Sequence, residues 1–354
     1  MSLLYLTQQG TKLQKGQGRF IVRSSTTSDL AFSQSAESSV EVPIREIEQV
    51  LIFGNIHLTT AAIATCLHHQ SPVVFLSQTG SYKGHLWSAE SHHPRSEKAQ
   101  YQRLGDARWQ MTVARTIVSG KLWNSKQLLL KLNRRRNLAG VDAAIAGIKR
   151  DLRAVQASLA LASAESSAAD LAQLRGYEGI AAARYFPALG QLITNTAFTF
   201  ERRTRRPPTD PVNSLLSFGY TLLFNNVLSL LRVEGLNPYL GNLHRSERHE
   251  AQLAFDLMEE FRSPVVDTLV LKLINQQAID PDDFTSPNAA GGVYLTEAAR
   301  RRFLQQFEGR MMLAVRHPDT AESVPYRQAI QLQVRRYKQS LLEDVPYEAF
   351  RRLT

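Results

Sequence analysis

Residues 209–235, TDPVNSLLSFGYTLLFNNVLSLLRVEG, constrain the fold most strongly. Asp210 stands where a helix N-cap is wanted and Pro211 at the first helical position. Gly235 marks the end. Between them the residues are apolar almost all round, so this helix is expected to lie buried at the centre of its domain. The surrounding sequence has the same texture. Helical periodicity runs through residues 98–136, residues 140–200 are rich in Ala and Leu without β runs, and further helices are expected at 248–275, 296–315 and 325–343. An all-α domain is therefore expected over residues 94–354.

Residues 1–93 read differently. LYLTQQGTKLQKGQGRFIV holds two short alternating runs around a Gly/Lys turn, a hairpin signal. EVPIREIEQVLIFG and SPVVFLS are β-branched runs bounded by turn residues, and TTAAIATCLHHQ between them fits one short helix. The Ser-rich SSTTSDLAFSQSAESS reads as a loop or edge segment. A small sandwich-like β domain is expected, making the chain α+β with the change of texture at SHHPRSE. A length of 354 residues suits two domains.

Composition excludes more than it identifies. With 43% hydrophobic and 21% charged residues, neither disorder nor a fibre is suggested. Cys66 is the single cysteine, so no intrachain disulfide can form. No signal peptide or membrane-spanning run is read from the sequence, and a cytoplasmic protein without a membrane partner is expected. The formal net charge is +10. In residues 1–90, Lys12, Lys15, Arg19, Arg23, Arg45 and Lys83 balance Asp29, Glu37, Glu41, Glu46, Glu48 and Glu90. The whole excess therefore lies in the second part, which points to a polyanion partner there.

Chemistry-bearing residues concentrate in three places. FDLMEEFR, residues 255–262, carries Asp256, Glu259 and Glu260 within about 100° of one another on a helix whose core face is Ala254, Leu257, Met258 and Phe261. Taken alone, such acids usually face water, and Glu259 could pair with Arg262 three residues on. His244 stands in a Pro/Gly loop just before this helix. Glu178 sits inside an apolar helical stretch, AQLRGYEGIAAARYF, where an acid is costly unless paired or metal-bound. One imidazole with carboxylates suits Mn²⁺ or Mg²⁺ better than structural zinc. CLHHQ and ESHHP lack zinc-finger spacing, and no phosphate-binding glycine motif is present.

GYEGIAAARYF, RRPPTDPVNSLLSFGYTLL, GLNPYLGNLH and FDLMEEFRSPVVD, in that order and spacing, together resemble the CRISPR-associated spacer-acquisition integrase family, the universal large subunit of the adaptation complex. GGVYLTEAARRRFLQQFEGRM also resembles that family's late helical segment. The resemblance implies a metal-dependent DNA integrase and endonuclease of antiviral defence, which joins spacer 3′-hydroxyl ends to the repeat array. It implies Glu178, His244 and Glu259 as metal ligands for Mg²⁺ or Mn²⁺. Asp256 becomes a supporting or alternate ligand, and Glu260 keeps only surface charge. The implied partners are double-stranded DNA with single-stranded 3′ ends, CRISPR repeat DNA, a second copy of the chain and a small ferredoxin-like companion subunit, with the β domain as the dimerisation surface.

Further roles follow with less support from spacing. Asn213, Ser217 and Tyr220 form one polar stripe on the central helix and are candidates to brace the metal site. Arg134, Arg135, Arg202, Arg203, Arg205, Arg206, Arg248, Arg300 and Arg301 are candidates to follow a phosphate backbone. Tyr185 and Tyr220 could stack on bases or pack in the core. A catalytically silent basic DNA-binding scaffold and a general DNA-repair nuclease of related fold are the alternative readings.

Overall fold

A computed structural model describes residues 2–24, 38–80, 82–88, 94–160, 168–244 and 250–352. The chain divides into two units, Met1–His92 and His93–Thr354.

Among the described residues, the first unit contains two four-stranded sheets. One has the order β1 (Ser2–Leu6), β5 (Ile47–Phe53), β7 (Val73–Leu76), β8 (Tyr82–Leu86); the other runs β4 (Ser38–Pro43), β3 (Arg19–Ser24), β2 (Lys12–Lys15), β6 (His57–Leu58). Leu13 and Phe20 of the second sheet, Val50, Ile52 and Val73 of the first, and Ala62 and Cys66 of helix α1 (Thr60–His68) share one core. Burial pushes the Cys66 thiol up to about 11, so it packs as an inert apolar group. The stretch expected as one hairpin holds three strands. Only β2 and β3 pair as a hairpin, around a turn where Gly18 takes a φ of +66°. β1 runs parallel to β5 in the other sheet. Gln9 fixes that departure, donating to the Phe53 carbonyl at 2.8 Å and accepting from the Asn55 N–H at 2.7 Å. The Ser-rich residues 25–37 lie outside the described residues.

In the second unit, α2 (Pro94–Leu104) and α3 (Ala107–Asn133) are separated where Asp106 caps α3 by accepting from the Trp109 N–H at 2.9 Å. α4 (Ala139–Ala160) and α5 (Ala168–Gln191) pack with α3. α6 (Pro211–Val233) begins at its Asp210 cap, which accepts from the Asn213 N–H at 2.8 Å, and stops before Gly235 at φ +71°. α6 is long and apolar enough to cross a membrane, yet 83% of its most apolar window is buried in the protein. It is a core helix, as its sequence implies.

Two expectations for this unit need correction. The helix expected over 248–275 is interrupted. α7 (Gln252–Met258) gives way to a π-helical segment, Arg262–Asp267, before α8 (Thr268–Asn275). Pro264 lies in that segment and has no N–H to continue the α-helical ladder. The unit is also not wholly helical. Between α9 (Glu297–Met311) and α10 (Tyr326–Leu342), β9 (Ala314–Arg316) and β10 (Ser323–Pro325) form an antiparallel pair.

Candidate active site

α3, α5 and α7 bring one lysine and two glutamates together. Lys121 Nζ of α3 pairs with Glu178 Oε1 of α5 and lies 2.7 Å from Glu259 Oε2, just after α7. Glu259 is 4% exposed. Its Oε1 accepts from Arg262 Nη1 at 2.8 Å, so the pairing that the spacing allows does form. Its Oε2 has the Lys121 charge nearby but no hydrogen-bond-aligned partner. Burial would raise the Glu259 pKa, but Arg262, Lys121 and His244 outweigh it and hold the carboxyl well below the usual range. The acid in an apolar stretch that made Glu178 conspicuous is thus explained by Lys121.

His244 is oriented by Asp256. Asp256 is fully buried. Its Oδ2 accepts from the Asn242 and Leu243 N–H groups at 2.6 and 3.0 Å, and its Oδ1 from the His244 N–H at 2.9 Å and Nδ1 at 2.7 Å. A carboxylate only accepts, so Nδ1 carries the proton and Nε2 is the free ring nitrogen. With both oxygens engaged in these four hydrogen bonds, Asp256 orients His244 and its loop, in keeping with a supporting place. Burial lowers the His244 pKa, but the Asp256 hydrogen bond and the charges of Asp256, Glu259 and Glu178 more than reverse this, for a net rise.

The same loop is gripped from the other side. Arg175, one turn before Glu178 on α5, donates from Nε and Nη2 to the Leu243 carbonyl at 3.0 and 2.6 Å. Arg175 thus couples the helix that carries Glu178 to the loop that carries His244. Neither Lys121 nor Arg175 stands out in the sequence. The one available signal for Arg175 is its i, i+3 spacing from Glu178.

Among the described residues, no three His, Cys, Asp or Glu side chains are arranged to hold a metal ion as they stand. The donor set nevertheless fits a small hard cation. Two carboxylates already share one positive group, Glu259 Oε2 is buried without an aligned donor, and His244 presents a free nitrogen. An adjoining cavity of about 30 Å³, lined by Lys121, Glu178, Arg262 and Asp267, has room for a water or an ion and none for an organic cofactor.

Behind this cluster the polar stripe of α6 is engaged, though through arginines. Arg203 donates to Asn213 Oδ1 at 2.7 Å and Ser217 Oγ at 2.8 Å, and its guanidinium lies 5.5 Å from the Tyr220 ring centroid. The Arg262 guanidinium lies 4.0 Å from the centroid of the same ring and links it to Glu259. Tyr220 and Tyr185 are buried and both donate their hydroxyls to Asp267. They are core residues and are closed to base stacking. Burial raises both phenols and Asp267, so the tyrosines stay protonated donors.

Glu260 contradicts its expected role as surface charge. It is fully buried, accepting from Tyr347 Oη and the Phe350 N–H at 2.6 Å each. Burial raises its pKa to about 8 despite those bonds. It anchors the C-terminal segment, which approaches closely because Gly120 has no side chain: a Cβ there would lie 2.6 Å from that of Ala349.

The candidate phosphate-binding arginines divide. Arg134, Arg135, Arg202, Arg205 and Arg206 are exposed, with Arg206 3.9 Å from Glu250. Arg203 is an internal pin, Arg301 pairs with Glu297, and Arg300 is half-buried beside the Leu295 carbonyl. Arg248 lies outside the described residues.

Known proteins share this architecture and sequence. A family model described as "CRISPR associated protein Cas1" matches residues 4–309. The chain is 36% identical over 347 residues to the CRISPR-associated endonuclease Cas1 1 of Thermus thermophilus, covering 98% of each chain. It is 32% identical over 311 residues to the CRISPR-associated endonuclease Cas1 of Mycobacterium tuberculosis, covering 88% of this chain and 85% of that one. Among solved structures, a casposase bound to integration product superposes with a TM-score of 0.80 at 22% identity, covering 99% of this chain and 93% of that one. A Cas1 protein from Thermotoga maritima gives 0.77 at 24%, covering 97% of each. The structural likenesses speak for the fold, and the sequence matches for the family: the chain belongs to the CRISPR-associated Cas1 family.

Proposed function

We propose that this chain is a metal-dependent DNA integrase and endonuclease of CRISPR adaptation, which joins the 3′-hydroxyl ends of spacer DNA to the repeat array by transesterification. The observation that carries this reading is that Glu178 and Glu259, from separate elements, share one cation, and that the charges of both act on the His244 imidazole. Glu178, Glu259 and His244 would hold Mg²⁺ or Mn²⁺, with Lys121 yielding the carboxylates. Bound there, the metal supplies Lewis-acid polarisation of a phosphoryl oxygen and lowers the pKa of the attacking hydroxyl.

This chain's own residues prepare that chemistry. Asp256 holds the imidazole by Nδ1, which leaves Nε2 without the proton, and the charges of Glu259 and Glu178 act on the ring. Arg262 holds one Glu259 oxygen and leaves the other directed at the shared cation. Lys121, released from the carboxylates, is a cation placed to meet the added negative charge of a phosphoryl transition state. A water in place of the 3′-hydroxyl gives endonuclease cleavage from the same constellation. The exposed arginines and the basic second unit suit double-stranded DNA with single-stranded 3′ ends and repeat DNA. A related structure is a complex containing Cas1 and Cas2, and a small companion subunit of that kind, with homodimerisation through the first unit, belongs to this proposal.

Internal neutralisation of the carboxylates by Lys121 and Arg262 is also what a silent DNA-binding scaffold would show. Half-site integration into a repeat-bearing plasmid separates the two. The integrase reading expects strand transfer with Mg²⁺ or Mn²⁺ that is abolished by chelator and by His244→Ala in a folded protein. Transfer that persists in chelator, or at full rate in that variant, overturns it.

A further inference from the structure

Glu259 stands on a turn where the α-helical ladder is interrupted. α7 ends at Met258, and the π-helical segment begins at Arg262. Between them the N–H groups of Glu259 and Phe261 reach the carbonyls three residues back, Asp256 at 3.3 Å and Met258 at 3.0 Å. In a continuous α-helix the N–H of residue 264 would bond the Glu260 carbonyl, but Pro264 has none. Asn124 Nδ2, from α3, supplies that donor at 2.8 Å, and it also bonds the Phe350 carbonyl at 2.9 Å. One side chain thus holds both the turn that carries Glu259 and the C-terminal segment.

The Glu260 side chain completes the tie. Both of its oxygens go to the C-terminal segment, Oε1 to the Tyr347 hydroxyl and Oε2 to the Phe350 N–H, at 2.6 Å each. Tyr347 Oη in turn accepts from Gln333 Nε2 of α10 at 2.9 Å. The Phe350 ring stacks on that of Phe261, with 4.6 Å between centroids and an interplanar angle of 16°. Tyr347, Phe350, Glu260 and Phe261 are all buried. Gly120 lets these groups meet, since a Cβ there would stand 2.6 Å from Ala349 Cβ and 3.5 Å from Glu260 Cγ. The next residue on α3, Lys121, lies about 100° round the helix and pairs with Glu178 and Glu259. Adjacent residues of α3 therefore serve the C-terminal segment and the two carboxylates. A close-packed, fully bonded cluster of this kind transmits displacement to its covalent neighbours. A metal-ligand set must be held to within about 0.5 Å of its working geometry, and Glu260 is one peptide from Glu259.

We propose that residues 347–350 are a positioning strut for Glu259. Tyr347 and Phe350, acting through the two residues that follow Glu259, set where its carboxylate stands relative to Glu178 and His244. The inference deepens the integrase reading and rests on it for the divalent-metal site that Glu259 would serve.

Calorimetric titration of the DNA-free full chain with Mn²⁺ tests it, beside half-site integration and thermal melting. Tyr347→Phe removes one donor to Glu260 and keeps the ring. Mn²⁺ affinity is expected to fall about tenfold, the low end for a partner that orients a metal ligand. The kcat of integration should fall with it while KM for DNA stays unchanged. Phe350→Leu leaves the Phe350 N–H on Glu260 and removes the ring that stacks on Phe261. A fall in the same direction is expected, and this variant decides the matter if Tyr347→Phe does not fold. Thr296→Ala removes the N-cap of α9 in the same unit and controls for lost stability alone, so its Mn²⁺ affinity should match the wild type. Unchanged Mn²⁺ affinity in Tyr347→Phe and Phe350→Leu, or an equal fall in Thr296→Ala, overturns the strut. Strand transfer by a wild type whose Mn²⁺ affinity is indifferent to Tyr347 and Phe350 sinks the strut alone. Weakened Mn²⁺ binding in both variants, with no strand transfer by the wild type, sinks the integrase reading alone. A wild type that binds no Mn²⁺ overturns both.

Discussion

Lys121 Nζ lies 2.7 Å from Glu259 Oε2, and it also pairs with Glu178. A single ammonium thus stands where two carboxylates converge. If it and a divalent ion exchange for those carboxylates, Lys121→Met should melt several degrees lower in chelator, because two partly buried acids lose a counter-charge. Added Mn²⁺ should restore more stability to that variant than to the wild type. Thermal melts with and without Mn²⁺ check this, and equal stabilisation of both proteins contradicts the exchange.

The His244 loop is held from two sides, by Asp256 within and by Arg175 from α5. Asp256→Asn should weaken Mn²⁺ binding by about 10–100-fold, the usual cost of losing a partner that orients a metal-binding histidine. Arg175→Ala leaves the Leu243 carbonyl short of its donor, at about 1–3 kcal/mol for a buried group. It should weaken Mn²⁺ binding in the same direction, with Arg175→Lys recovering part of the loss. Calorimetric titration of the DNA-free protein reads both. Unchanged Mn²⁺ affinity in the two variants would contradict a positioning role.

Asn124 joins three backbone groups of two segments: the Glu260 and Phe350 carbonyls and the Arg352 N–H. Asn124→Ala leaves all three short of a partner in a buried setting. A loss of about 1–3 kcal/mol is expected for such a group. Trypsin should release the tail at Arg351 or Arg352 faster from this variant than from the wild type. Mass spectrometry of a limited digest supplies the measurement.

His317, stacked on Phe350, carries a pH dependence of its own. It is fully buried, with Nε2 on Gln333 Oε1 at 3.2 Å and Nδ1 accepting from the Asp319 N–H at 3.2 Å. Burial lowers its pKa against the opposing pull of Gln333 and Asp319, and Arg336 adds to the fall. Protonation would set a second N–H against that of Asp319. A folded pKa below the unfolded value of about 6.5 means that the unfolded chain takes up the proton first as pH falls. Stability from this residue is therefore full above about pH 6.5 and declines below it. Melting temperature should fall more steeply from pH 7 to pH 5 in the wild type than in His317→Asn.

Much of this architecture is legible in local sequence. Asp210, Pro211 and Gly235 bound α6 because capping and helix termination are local physics. Glu178, His244 and Glu259 are legible as candidates because acids in apolar stretches are anomalous, and because the motif order resembles a known family. What local sequence hides depends on distant neighbours. Glu260 shares a helical face with acids that could all be solvated, and only the returning tail, with Tyr347 and Phe350, buries it. Lys121 looks like any surface lysine until α5 and α7 place carboxylates on it. The break at Arg262–Asp267 hides because Pro264 follows a strongly helical pattern. β1 leaves its hairpin through Gln9, whose partners lie beyond the next three strands.

The proposed strand transfer rests on Glu178, His244 and Glu259 together forming one divalent-metal site. The most direct measurement is Mn²⁺ binding by the DNA-free protein, alongside half-site integration, for wild type, Glu178→Gln, His244→Ala and Glu259→Gln. A single Mn²⁺ per wild-type chain is expected, with binding and integration both lost in each folded variant. Mn²⁺ binding that survives all three substitutions, or integration that proceeds without the metal, would rule that site out.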